Sequence, residues 1–288
     1  MENFATVIQE SLNTIFSRIF SSLDNSFYHI LDTLAFINTD ILENPVIKKF
    51  LDTDTKSGTL AICNSLVLGL LLYYSIRYLF SHLIYIKTES PKDFILKAII
   101  FGVIMNNSLW ICSQIIFIID FCSSYLLSVA TDLTHKTISF SEFLNLLNAS
   151  LFWVPEATDL FSFSGIVKSF SSIGLINLVF TFSLRYIMTL VFLLLSPFAF
   201  LSLMTDSTSW VFKTWIKAFI SILFYQIIIS MLLIIAFTFS NKGNSLLLCI
   251  FYVGIIQAFQ KAGYFVKELF GGISLISNNS INTFNQFI

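Results

Sequence analysis

The sequence predicts an all-α integral membrane protein with about five transmembrane helices, an N-terminal amphipathic helix, and short helices between the second and third spans. Three observations lead there. Of the residues, 56% are hydrophobic and only 11% are charged, well under the roughly 25% charged usage of soluble domains. From Ser172 to Phe239 two apolar runs follow one another across a short polar turn, and each holds the roughly 20 apolar residues a helix needs to cross about 30 Å of hydrocarbon. Lysines gather in the turns between apolar runs, as they do at membrane–water boundaries.

Residues 1–57 read as an amphipathic helix and a linker, on the outer side of the membrane. Phe4, Ile8, Leu12, Ile15, Ile19, Leu23, Phe27, Ile30 and Leu34 recur at steps of three and four, which aligns them in one stripe on a helix. Two readings of the stripe stand side by side: it packs against neighbouring protein, or it lies in the membrane plane. Arg18 is the only basic residue of the helix, a weak attraction for anionic lipids. Met1 to Phe20 has neither a basic start nor a continuous apolar core, so no cleaved signal peptide is expected. Asn38 to Gly58 contains Pro45 and charges of both signs; it reads as a solvated connection with room for a short helix.

Residues 58–119 carry the first two spans. The first runs from Thr59 to Phe80, with Arg77 close enough to its end to snorkel. A turn containing Pro91 follows. The second span, Phe94 to Ile119, is interrupted by Asn106, Asn107, Ser108 and Gln114. Carboxamides in lipid are costly unless hydrogen-bonded, so this helix should face other helices or a wet lumen. Residues 120–171 form an extracytoplasmic region, too polar to span and too apolar for a free loop, and are expected to fold into short helices. His135 within it reads as an ordinary surface histidine.

Residues 172–266 carry spans three to five. Arg185 falls near the middle of the third, where a guanidinium costs roughly 2.5–3.5 kcal/mol on insertion scales and calls for a partner. The uncharged candidates are Asn106, Asn107, Gln114, Gln226 and Gln257; the one nearby acid is Asp120, at the edge of a span. Either a hydrogen-bonded cluster or a wet lumen shared between subunits would satisfy the charge. Ser196-Pro197 should end the third span, since proline lacks an amide donor. Pro197, Trp210, Lys213, Trp215 and Lys217 are the expected hairpin and interface anchors. In the last span, Leu246 to Phe265, the small residues Gly254, Ala258 and Ala262 recur at every fourth position. Such a stripe allows close helix packing, within one subunit or between copies. Residues 267–288 read as a cytoplasmic tail beginning where Gly271-Gly272 stops the helix.

Arg185, the apolar run after it, Ser196-Pro197-Phe198-Ala199, a polar turn, Trp210, Lys213-Thr214-Trp215-Ile216-Lys217 and Gln226 together resemble the core of the TrbL family. These are polytopic inner-membrane subunits of type IV secretion systems, the sixth VirB protein among them. The resemblance covers about 50 residues and is a pattern of residue types. It implies a bacterial inner-membrane channel or platform subunit that supports DNA or protein transfer and pilus assembly. It also implies a ring-like homo-oligomer, a pentamer if the likeness extends that far, in contact with a traffic ATPase, bitopic scaffold subunits, pilus subunits and the translocated substrate.

No GxxxxGK[ST], HExxH or GxSxG motif occurs, and Cys63, Cys112, Cys122 and Cys249 have no paired metal-binding spacing. The sequence therefore points away from an enzyme, and membrane lipids are the only small-molecule associates expected. A net charge of −1 supplies no global field for nucleic acid. A small-solute transporter and a passive membrane scaffold are the rival readings. The lysine distribution puts the N-terminus outside and the C-terminus in the cytoplasm by the positive-inside rule.

Overall fold

The computed structural model describes residues 26–51, 58–84, 90–152, 163–239 and 245–270, and every regular element among them is helical. In chain order these are α1 (Ser26–Ala35), a 3-10 turn (Thr39–Glu43), α2 (Pro45–Leu51), α3 (Thr59–Ile84), α4 (Pro91–Asn106), α5 (Ser108–Thr134), α6 (Phe140–Phe152), α7 (Phe163–Leu201), a second 3-10 turn (Ser202–Met204), α8 (Ser209–Phe239) and α9 (Ser245–Phe270). Among the described residues four segments, Thr59–Ser81, Ser108–Thr134, Ile173–Met204 and Ser209–Phe239, are long and apolar enough to cross a membrane. The chain is a multi-pass membrane protein by that measure.

The hairpin of α7 and α8 is the inner pair. Half or more of its spanning windows is buried, 50% and 61%, against 11% and 17% for those of α3 and α5. The outer faces of α3 and α5 therefore present Leu66, Leu68, Leu72, Phe117 and Phe121 away from the protein, as helices bathed in hydrocarbon do. α9 packs along both members of the hairpin, and α5 lies along α8. The apolar interior divides into two clusters. One gathers Leu31, Phe140, Phe143, Phe182, Ile229 and Phe259; the other gathers Ile37, Ile47, Ile116, Leu193, Trp215 and Phe219.

Several sequence-based expectations are corrected by this arrangement. The second span is not one helix from Phe94 to Ile119: it breaks at Asn107, whose φ and ψ are −96° and 13°. The side-chain amides compete there with the helix ladder. Asn106 Nδ2 donates to Gly102 O and Asn107 Nδ2 to Val103 O, each at 2.8 Å. α4, with 16 residues, is about 24 Å long and falls short of a crossing. α5 instead continues to Thr134, which puts Asp120 inside a candidate span and not at its edge. His135 ends α5 in the left-handed conformation, φ 54°, its N–H donating to Thr131 O at 2.8 Å, a common way to close a helix.

Pro197 lies inside α7 and does not end it. A proline leaves the carbonyl four residues earlier without its N–H partner. Ser196 Oγ supplies the missing bond by donating to Leu193 O at 2.7 Å, and the helix runs on to Leu201. The linker after Asn38 is not merely solvated either: Ile41, Ile47 and Leu51 are buried. Gly58 closes it at φ +147°, where a Cβ would meet Phe50 O at 2.4 Å, so only glycine permits this return. From Ile30 to Ala35 of α1 the buried residues are Leu31 and Ala35, while Ile30 of the expected stripe is 46% exposed. Asp32 explains the rotation, because its carboxylate caps α6: Phe140 N–H donates to Oδ1 at 2.7 Å. The described part of the N-terminal helix thus packs against α6 and α7; the rest of the predicted stripe, up to Leu23, lies outside the described residues, as do the glycine pair and the tail after α9.

Candidate functional site: a buried polar layer at Arg185

Between the two apolar clusters runs a layer of polar side chains. On α7, Phe182 belongs to one cluster and Leu193 to the other, with Arg185 and Thr189 between them. On α8, Ile222 and Ile229 stand in the two clusters on either side of Gln226. On α5 the layer contains Asp120 and Ser123. Three helices therefore bring polar groups to one level of an otherwise apolar interior.

Arg185 is the centre of the layer and is fully buried, at 0% exposure. Its Nη2 donates to Ala35 O at 2.9 Å and, at the limit of bonding distance, to Gln226 Oε1 at 3.5 Å. The guanidinium carbon sits 5.4 Å from the centre of the Tyr225 ring, within range of cation–π attraction. Ala35 is the last residue of α1, so the cation faces a helix C-terminus, where an orphaned carbonyl and the helix dipole both favour positive charge. Nε and Nη1 have no hydrogen-bond partner among the described residues. That leaves a buried cation only partly satisfied, an arrangement that costs free energy.

Gln226 acts as the crossbar. Its Oε1 accepts from Ile37 N–H at 2.9 Å, while its Nε2 donates to Ser123 Oγ at 2.8 Å and to Asp120 Oδ1 at 3.4 Å. A series of contacts thus runs from Asp120 through Gln226 to Arg185 without a direct ion pair. Thr189 and Ser230 sit one turn beyond Arg185 and Gln226 and bond back to their carbonyls at 2.9 and 3.1 Å. Tyr225 extends the layer to α9 by donating its hydroxyl proton to Phe259 O.

The backbone that meets this layer is not helical. Phe36 to Asn38 connects α1 to the 3-10 turn, and buried non-helical backbone needs outside partners for its N–H and C=O groups. Arg185 and Gln226 provide them, for Ala35 O and Ile37 N. With Asp32 held by α6, the segment is fastened at both ends of its break.

Of the partners expected for Arg185, the structure brings Gln226 to it directly and Asp120 through Gln226. The others lie elsewhere. Asn106 exchanges reciprocal amide bonds with Asn64 at 3.2 Å, Asn107 turns back on its own helix, and Gln114 and Gln257 are exposed. The sequence reading missed Ser123, Tyr225, and the backbone of Ala35 and Ile37. Asp120 and Ser123 are three apart, and Arg185 with Thr189 and Gln226 with Ser230 are four apart; that helical spacing was the available signal for Ser123.

Among the hairpin anchors, Trp210, Lys213 and Lys217 are exposed. Trp215 is not: only 6% exposed, it donates its indole N–H to Phe192 O at 3.1 Å. The stripe on α9 is also divided. Ala262 is buried in the first cluster, whereas Gly254 is exposed with nothing within 4 Å of a Cβ. Close approach to α9 comes instead at Gly174 of α7. A Cβ there would lie 2.7 Å from Ile256 Cγ2, and its carbonyl accepts from Gln260 Nε2 at 2.8 Å.

No protein-family model, curated protein or solved structure matches this chain.

Proposed function

We propose that this chain is a channel or platform subunit of a bacterial type IV secretion system, embedded in the inner membrane and supporting transfer of DNA or protein and assembly of a pilus. The observation that carries the reading is the hairpin. Arg185, Pro197, Trp215 and Gln226, among the residues that give the TrbL resemblance, lie on the most buried helix pair, and Arg185 and Gln226 hold its polar centre. A pattern of residue types placed at the heart of a bundle is one that packing and hydrogen bonding both constrain.

In this reading α9, 26 residues long, is the fifth crossing, with α3, the α4–α5 pair, α7 and α8 as the others. Lys97 meets Asp206 at 3.6 Å, so the basic start of α4 and the α7–α8 turn share one end of the bundle. That end is the cytoplasmic one by the positive-inside rule, which leaves the N-terminus outside and the C-terminus inside. The partners are further copies in a ring, lipids, a traffic ATPase, bitopic scaffold subunits and pilus subunits.

The test is complementation. In a host secretion system lacking its own polytopic subunit, this chain is expected to restore substrate transfer and to co-purify the traffic ATPase; failure of both rejects the proposal. The Asp120–Gln226–Arg185 series favours one second reading, a small-solute transporter, because ionisable groups within spans often line solute paths. Substrate-dependent uptake into vesicles containing the purified chain alone would select that reading.

A further inference from the structure

We propose that the segment from Leu31 to Leu51 is a releasable strap, and that Arg185 exchanges partners when it leaves, from Ala35 O in the closed state to Asp120 in the open one. This does not rest on the secretion reading, and its test requires no transfer activity.

The strap passes along both apolar clusters, with Leu31 and Ala35 in one and Ile37, Ile41, Ile47 and Leu51 in the other. At the junction it is not helical, and its polar attachments there go to distant parts of the chain. Asp32 takes Phe140 N–H, Ala35 O takes Arg185, and Ile37 N–H goes to Gln226. Such single hydrogen bonds fix register yet contribute little net free energy each. They position the strap; its hold on the bundle is mainly the burial of Leu31, Ile37, Ile41, Ile47 and Leu51, which hydrocarbon or detergent covers again when the strap leaves.

The unpaired nitrogens of Arg185 supply the second state. In the closed arrangement one of its three nitrogens bonds while Nε and Nη1 have no partner, so the guanidinium is not in its most favourable setting. Asp120 is one amide away, held by Gln226 Nε2. Once Ala35 O departs, the planar fork of Arg185 can turn to the Asp120 carboxylate, whose two oxygens match two parallel N–H donors. The closed state satisfies the backbone of the strap, and the open state satisfies the charge. Two arrangements with different satisfied groups are what a bistable element requires.

The readout is the reactivity of a cysteine at Ile37, which is 2% exposed in the closed state. The full-length protein, with Cys63, Cys112, Cys122 and Cys249 replaced by alanine, carries Ile37→Cys and is purified in detergent. Maleimide labelling should be slow in this background and about tenfold faster once Gln226→Leu removes the crossbar, the factor that loss of roughly one such hydrogen bond gives. Adding Asp120→Asn should slow it again, because the open state then lacks its carboxylate. A cysteine at Ile256, equally buried but on α9, which packs mainly on α6, α7 and α8, must stay unreactive throughout. If Gln226→Leu does not fold, Asp32→Ala, which removes the 2.7 Å attachment of the strap to Phe140 N–H, replaces it with the same expectation. Labelling at Ile37 that is unchanged by the crossbar variant, or not slowed by Asp120→Asn, overturns the proposal.

Discussion

Arg185 shows how one residue can be obvious in a sequence while its partner is not. A guanidinium in an apolar run announces that something must satisfy it, and Gln226 was recoverable as a carboxamide on the neighbouring span. Ala35 was not, because the bonding group is a backbone carbonyl, and any residue type could have supplied it. Asp120 was visible but misplaced by its assumed position at a span edge. The geometry predicts the outcome of substitution. Arg185→Leu removes the donor of a buried carbonyl and should cost about 1–3 kcal/mol. Arg185→Lys should cost at least as much: it keeps a buried charge while losing the planar contact with Tyr225 and the reach to two acceptors at once. Thermal unfolding of the purified variants in detergent measures both. A lysine variant as stable as the parent would mean that the charge is met by water and not by the layer.

At the scale of elements, the long apolar runs were legible and their ends were not. Thr59, where the first span was expected to begin, is the first residue of α3, because an apolar run of spanning length has few alternatives to helix in lipid. The proline of α7 signals a helix end in the sequence, and only the hydroxyl of the serine beside it, a substitute donor to Leu193 O, lets the helix run on. Asn106 and Asn107 mark an interruption of polarity in the sequence; the interruption of the helix depends on where their amides turn, which the sequence does not show. Helix contacts were mislocated too, since three small residues at fourth positions are conspicuous in a sequence and a single glycine is not. Gly174→Leu should therefore destabilise the protein by roughly 1–3 kcal/mol through overpacking against Ile256. Gly254→Leu should leave the unfolding temperature unchanged, since the site is open. If Gly254→Leu nonetheless reduces the size of the particle in detergent, its face is covered by another copy.

For the whole molecule, the contrast between a buried hairpin and exposed flanking helices shows which faces the fold leaves for lipid or another subunit, and the ion pair of Lys97 with Asp206 places their two segments at one end. Composition made the membrane class legible; the level of the polar layer was not, because it depends on how far each helix slides along its neighbours. With native cysteines replaced, Thr137→Cys after α5 should react with an impermeant maleimide on intact cells, and Ser207→Cys in the α7–α8 turn should react only after lysis. The reverse pattern would invert the orientation proposed above. The layer also sets an order of events during synthesis. Ala35 waits for a partner 150 residues downstream and Ile37 for one 189 residues downstream, which at about 5–20 residues per second is roughly ten seconds or more of translation. Throughout that interval Ala35 O and Ile37 N–H lack their final partners, and the spans made first have little of the protein interior to bury them. The nascent chain must therefore be inserted in an unfinished form and completed from its far end, so a ribosome stalled before Gln226 emerges leaves every early helix in the membrane and the bundle still open.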